Sequence, residues 1–108
     1  MKKWDNEKTK DLAKALLALK STKEAKAFLR DLLTEKELLE LGNRWKAARM
    51  LADNISYVRI VQETGLSSTT VARISKWLKG GMGGYRSMLK KFSDSHHRTS
   101  SLSGKRLI

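Results

Sequence analysis

Residues 56–79 run Ser56-Tyr57-Val58-Arg59-Ile60-Val61-Gln62-Glu63-Thr64-Gly65-Leu66-Ser67-Ser68-Thr69-Thr70-Val71-Ala72-Arg73-Ile74-Ser75-Lys76-Trp77-Leu78-Lys79. The stretch fits a helix-turn-helix frame, two short helices joined by a tight turn that often contains glycine. Ser56 is placed to cap a first helix, Tyr57 to Thr64. Gly65 occupies the turn, where a left-handed residue ends such a helix. Ser67 or Ser68 caps a second helix running to about Lys79. Ile60, Leu66, Val71 and Ile74 fall where the unit needs apolar contacts between its helices. Thr64 is a weaker core residue, and Val61 is larger than the small residue usual at its position.

Generic helical hairpins share that spacing, so residue content has to carry the functional reading. If Val71, Ile74 and Leu78 face inward, helical periodicity turns Ser68, Thr69, Ala72, Arg73 and Lys76 outward. Ser67, Ser68, Thr69 and Thr70 put short hydroxyls at a helix N-terminus. The N–H groups and positive dipole end there suit phosphates and base edges. Arg73 is the candidate for a guanine edge or a phosphate. Lys76 and Lys79 are candidates for phosphates, contacts that position a protein without specifying sequence. Tyr57 and Arg59, on the first helix of the pair, can reach the backbone. The expected partner is double-stranded DNA.

Charge supports a polyanionic partner. The 108 residues carry a formal net charge of +12. Residues 1–54 hold 13 basic and 9 acidic side chains, whereas residues 55–108 hold 10 basic and 2 acidic, Glu63 and Asp94. A field of one sign concentrated in one half favours nucleic acid.

Upstream, residues 5–20 are amphipathic, with Leu12, Leu16 and Leu19 at helical spacing. Ser21 and Glu24 have capping-box spacing and open a second helix through Phe28, Leu29 and Leu32. Thr34 and Glu37 repeat that spacing before a third helix. Along it Leu38, Leu41, Trp45, Ala48, Ala52 and Ile55 form a short heptad seam, the pattern of a core helix packed lengthwise on another. Gly42 suggests a close helix crossing, and Asp53-Asn54 a break. Downstream, Gly80 to Gly84 lacks the preceding strand and the Gly-Lys-Ser/Thr of a phosphate loop, so a flexible joint is expected. A short sixth helix spans Tyr85 to Phe92. Residues 1–92 are then one DNA-binding domain, and 93–108 a basic, serine-rich, disordered tail.

Other chemistry is sparse. The chain has no Cys, which excludes disulfides, zinc fingers and cysteine nucleophiles. His96-His97 lacks metal-ligand spacing, and neither a Ser/His/Asp arrangement nor H-E-x-x-H is present. A binder with no cofactor or metal is expected, not an enzyme. No apolar run approaches a membrane span, and the two N-terminal lysines soon meet Asp5 and Glu7. A soluble, cytoplasmic protein with no membrane partner is expected.

The segment Leu32-Leu33-Thr34-Glu35-Lys36-Glu37-Leu38-Leu39-Glu40-Leu41-Gly42-Asn43-Arg44, followed by Ile55-Ser56, Gly65 and Leu78-Lys79, resembles the Trp repressor superfamily, most of all its YerC/YecD branch. The resemblance covers roughly residues 5–92. It implies an all-α, six-helix fold in an intertwined homodimer, with helices one to three and six interlocking between chains. The fourth and fifth helices would form reading heads spaced for successive major grooves. The family's effector pocket carries over residue by residue. Its threonine before the third helix matches Thr34, and the two arginines that hold the indole match Arg44 and Arg73. The glycine after the second arginine is Ile74 here, and the serine at the ligand's amino-acid end is Trp77. These two departures argue against tryptophan as corepressor. Two readings stay open: the arginines retained for an unidentified small-molecule effector, or Arg73 serving DNA alone. The function implied is a transcriptional repressor on a two-fold-symmetric operator. The alternative is a protein-interaction or RNA-associated module that keeps the fold.

Overall fold

A computed structural model describes residues 2–102. They form six helices: α1 (Glu7–Leu17), α2 (Thr22–Leu32), α3 (Glu35–Ala52), α4 (Tyr57–Thr64), α5 (Ser68–Gly80) and α6 (Gly84–Leu102). The described residues contain no strand. They divide into a unit ending at Leu39 and a unit beginning at Glu40.

In the first unit each helix start is set by a side chain. Asn6 Oδ1 accepts from the N–H groups of Lys8 and Thr9, and Asn6 N–H donates to the Thr9 hydroxyl. Ser21 Oγ accepts from Glu24 N–H at 3.0 Å. Thr34 and Glu37 form the complete capping box: Glu37 N–H donates to Thr34 Oγ1 at 3.1 Å, and Thr34 N–H donates to Glu37 Oε1 at 2.9 Å. These bonds, the backbone one first, hold the Glu37 carboxyl below its usual range. Such caps satisfy orphan N–H groups, each worth about 1 kcal/mol. Neither α1 nor α2 has a buried residue. Leu16, Leu17, Leu32 and Leu39 are all exposed, Leu17 at 86%.

The second unit holds the core. Ala47, Ala48, Met50, Ile60, Leu66, Val71 and Ile74 are buried together, with Trp45, Leu51, Ile55, Val61 and Tyr85 packed against them. The expected heptad seam is only partly used. Ala48 is fully buried, while Leu41 is exposed at 49%. The position beside Gly42 is open, and the close crossing expected there is not found among the described residues.

The break after α3 is a Schellman turn. Asn54 sits at φ 61°, its N–H donates to the Leu51 carbonyl, and Ile55 N–H reaches back to Met50. Ser56 then caps α4 and Gly65 closes it at φ 75°. Thr64, a weak core residue by sequence, has a structural use. Its buried hydroxyl donates to the Ile60 carbonyl at 2.7 Å and accepts from Leu66 N–H at 3.2 Å. It therefore satisfies a buried turn N–H that an apolar residue would leave unpaired.

The glycine segment after α5 is more tightly specified than a loose joint. Gly81 N–H donates to the Trp77 carbonyl, and Gly83 sits at φ 89°. The sixth helix also runs past Phe92 to Leu102, farther than the sequence reading carried it. Between Tyr85 and Ser103 the chain has neither Gly nor Pro to stop it. The end of the expected tail, 103–108, lies outside the described residues. Near the start of α6, Tyr85 packs on the core, and Phe92 meets Trp45 edge-on at a 5.6 Å centroid distance.

Two of the glycines at the α5–α6 corner should respond oppositely to alanine. A Cβ on Gly81 would stand 2.7 Å from the Trp77 carbonyl oxygen, whereas one on Gly84 meets nothing within 4 Å. Gly81→Ala is expected to lower stability by about 1–3 kcal/mol, the usual cost of overpacking. Gly84→Ala is expected to be neutral or slightly stabilising, since alanine is the better helix former. Urea denaturation of both variants checks this pair.

Candidate functional site

The frame of the candidate site is α4 and α5, packed on each other. Ile60, Val71 and Ile74 are fully buried between them and the rest of the core. Helical periodicity then puts Ser68, Thr69, Ala72, Arg73 and Lys76 on the opposite side of α5, and all five are exposed. Lys79, one turn on from Lys76, is exposed as well.

The expected hydroxyls divide into two groups. Ser67 Oγ accepts from Thr70 N–H at 3.1 Å and donates to Thr70 Oγ1 at 3.0 Å. Ser67 and Thr70 are thus engaged in starting α5. Ser68 and Thr69, the first two helical residues, make no side-chain hydrogen bond among the described residues and face solvent. Their N–H groups belong to the orphan set of a helix start.

The cations also divide. Arg59 Nε donates to Glu63 Oε2 at 2.8 Å, and Lys46 Nζ lies 3.7 Å from Glu63 Oε1. The Arg59 hydrogen bond, with the charges of Arg59 and Lys46, holds the Glu63 carboxyl below its usual range. Arg59 is therefore partly neutralised by its neighbour. Arg73, Lys76 and Lys79 have no ion pair among the described residues. On α4, Tyr57 is exposed at 43% and Val58 at 68%. Sequence reasoning passed over Val58, whose apolar side chain carries no polar signal.

The residues matched to an effector pocket are differently occupied. Thr34 uses its hydroxyl in the α3 capping box. Arg44 donates through Nε and Nη2 to Glu40 Oε2, at 3.3 and 3.0 Å. Ile74 has no exposed surface, and Trp77 is exposed at 43%. Two cavities, of about 310 and 470 Å³, lie elsewhere in the second unit around Leu51, Leu78 and Lys79. None of the five matched residues lines either cavity.

Sequence reasoning also missed a side chain that caps the end of α5. Arg86 Nη2 donates to the Lys79 carbonyl at 2.6 Å and lies 3.4 Å from that of Leu78. The signal was a cation shortly after a glycine-closed helix end, a known carbonyl cap. No helix among the described residues is long and apolar enough to cross a membrane.

Comparison with known proteins agrees with the six-helix fold. The family model for the Trp repressor protein matches residues 7–93. The uncharacterized protein YerC of Bacillus subtilis (strain 168) is 33% identical over 90 residues, which are 83% of this chain and 86% of YerC. A solved TrpR-like protein from Eubacterium eligens ATCC 27750 superposes with a TM-score of 0.78 at 32% identity, covering 84% of this chain and 94% of that one. A second solved structure, from Staphylococcus aureus, gives a TM-score of 0.78 at 30% identity over 84% of this chain and 91% of its own. With the matched segment spanning all of α1 to α5 and the start of α6, the chain belongs to the Trp repressor family.

Proposed function

We propose that the protein is a transcriptional repressor that binds a two-fold-symmetric DNA operator as a homodimer, in the cytoplasm, without a catalytic step. The observation that carries this reading is the division of α5 into a fully buried face and an exposed, cationic, hydroxyl-bearing one. A helix of that kind lies in a major groove with its N-terminal residues toward base edges. Thr69 and Arg73 are the proposed base readers. Lys76 and Lys79 are proposed phosphate contacts, as are Ser68 and Tyr57. Arg59, tied to Glu63, and Ser67 and Thr70, tied to each other, contribute mainly by holding the frame.

Arg73→Ala is expected to weaken binding to a preferred duplex by about 1–3 kcal/mol and to relax sequence preference. Thr69→Ala is expected to act in the same direction. Lys76→Ala and Lys79→Ala should weaken all duplexes about equally and flatten the salt dependence by about one unit each. Titrations of preferred and random duplexes over a salt series separate the two classes. A steep salt slope with no duplex preference would support the charge-only, RNA-associated or interaction-module alternative instead.

Dimerisation rests on the first unit. Two helices without a buried residue, carrying Leu16, Leu17 and Leu32 exposed, gain little from folding alone. A second copy interlocking with this one would cover those faces. The expected result of light scattering with circular dichroism is a dimer that loses helicity as it dissociates. A well-folded monomer at micromolar concentration counts against it.

Tryptophan is not the proposed effector. Ile74 fills, as a core residue, the place where the family has a glycine beside the ligand. Trp77 replaces the hydroxyl that would meet the ligand's polar end. Calorimetry with tryptophan is expected to give no saturable heat at micromolar levels. Saturable binding coupled to tighter operator binding would reverse this reading.

A further inference from the structure

The far end of α5 is its least anchored part. Val71, Ile74 and Ser75 are buried, but beyond them only Leu78 is half-buried, and Lys76, Trp77, Lys79 and Gly80 are exposed. The last carbonyls of a helix have no intrahelical partner, and a turn with little burial opens readily. Among the described residues a single side chain meets them. Gly81 N–H closes on the Trp77 carbonyl at 3.0 Å, in a turn too tight for a Cβ. That turn brings the start of α6 back toward α5. Arg86, in the first turn of α6, then reaches the Lys79 and Leu78 carbonyls. A guanidinium at that place is favoured both by the hydrogen bonds and by the negative end of the helix dipole.

We infer that Arg86 is a positioning residue for the reading helix: it ties the last turn of α5, and with it Lys79, to α6. The inference rests on the DNA-binding reading above for its consequence, though not for its geometry. Without the tie, the last turn frays in the free protein, and specific DNA has to order it on binding. That ordering cost falls on the specific complex, which demands one geometry of the helix. Loose binding still gains from Lys79 on a frayed turn, because neutralising phosphate charge needs no fixed angle.

Arg86→Ala and Arg86→Lys test this in two measurements. The first is amide hydrogen exchange of the full chain without DNA. In Arg86→Ala the amides of Gly80 and Gly81 are expected to lose protection about tenfold, as for loss of a hydrogen bond to a charged group. Ile74 and Ser75 should keep theirs, and Arg86→Lys should restore part of the loss. Unchanged protection at Gly80 and Gly81 overturns the inference. So does an equal loss across Val71 to Ser75, which marks general destabilisation. The second measurement uses a duplex that the unmodified chain prefers. Arg86→Ala is expected to bind it about tenfold more weakly, with a smaller preference over random duplex and an unaltered salt slope. A slope lowered by about one unit identifies Arg86 as a phosphate ligand and overturns the positioning role. An unmodified chain with no preferred duplex removes the repressor reading, and the exchange result then decides the role of Arg86 by itself.

Discussion

The burial of one face of α5 is the constraint from which the candidate site follows. Val71 and Ile74 have no exposed surface, and Ile60 of α4 is equally enclosed. Side chains of this size contribute about 1.5–3 kcal/mol each when fully buried. That burial fixes which way the helix faces. At 3.6 residues per turn, enclosing Val71 and Ile74 sets Thr69, Ala72, Arg73 and Lys76 on the opposite side. The Thr64 hydroxyl serves the same arrangement by satisfying the turn between the helices.

Electrostatics and end-capping refine this frame. Glu63 is drawn to Arg59 and Lys46, on the α4 side of the unit. The lysines and arginine of α5 keep no acidic partner among the described residues, so their field is directed outward. Each end of the two-helix unit has a named group: Ser56 and Gly65 on α4, Ser67 and Arg86 on α5. These groups do local work, but together they set the angle at which a rigid helix is presented. A rigid presentation lowers the ordering cost of specific binding.

The two units differ in how they obtain stability. The second unit encloses a small core of its own. The first has well-formed caps and amphipathic helices but no buried residue in α1 or α2. Caps worth about 1 kcal/mol each cannot replace the burial of several leucines. Its apolar faces are suited to another surface, and a second copy is the proposed one.

The sequence by itself determined the elements. Capping residues, helical periodicity and glycine placement located all six helices and the turn at Gly65, because these are local effects within a few residues. Local reasoning also marked Thr69, Arg73, Lys76 and Lys79 as a face. The three-dimensional structure decided which side chains were already committed. Arg59 and Arg44 pair with carboxylates, Ser67 with Thr70, and Ile74 with the core. It also decided the length of α6, where a polar composition concealed the absence of any helix breaker. The Thr64 bridge and the Arg86 tie were legible only in three dimensions. Each depends on a carbonyl or an N–H left unpaired at a helix end, and the chain's path decides which side chain arrives to meet it.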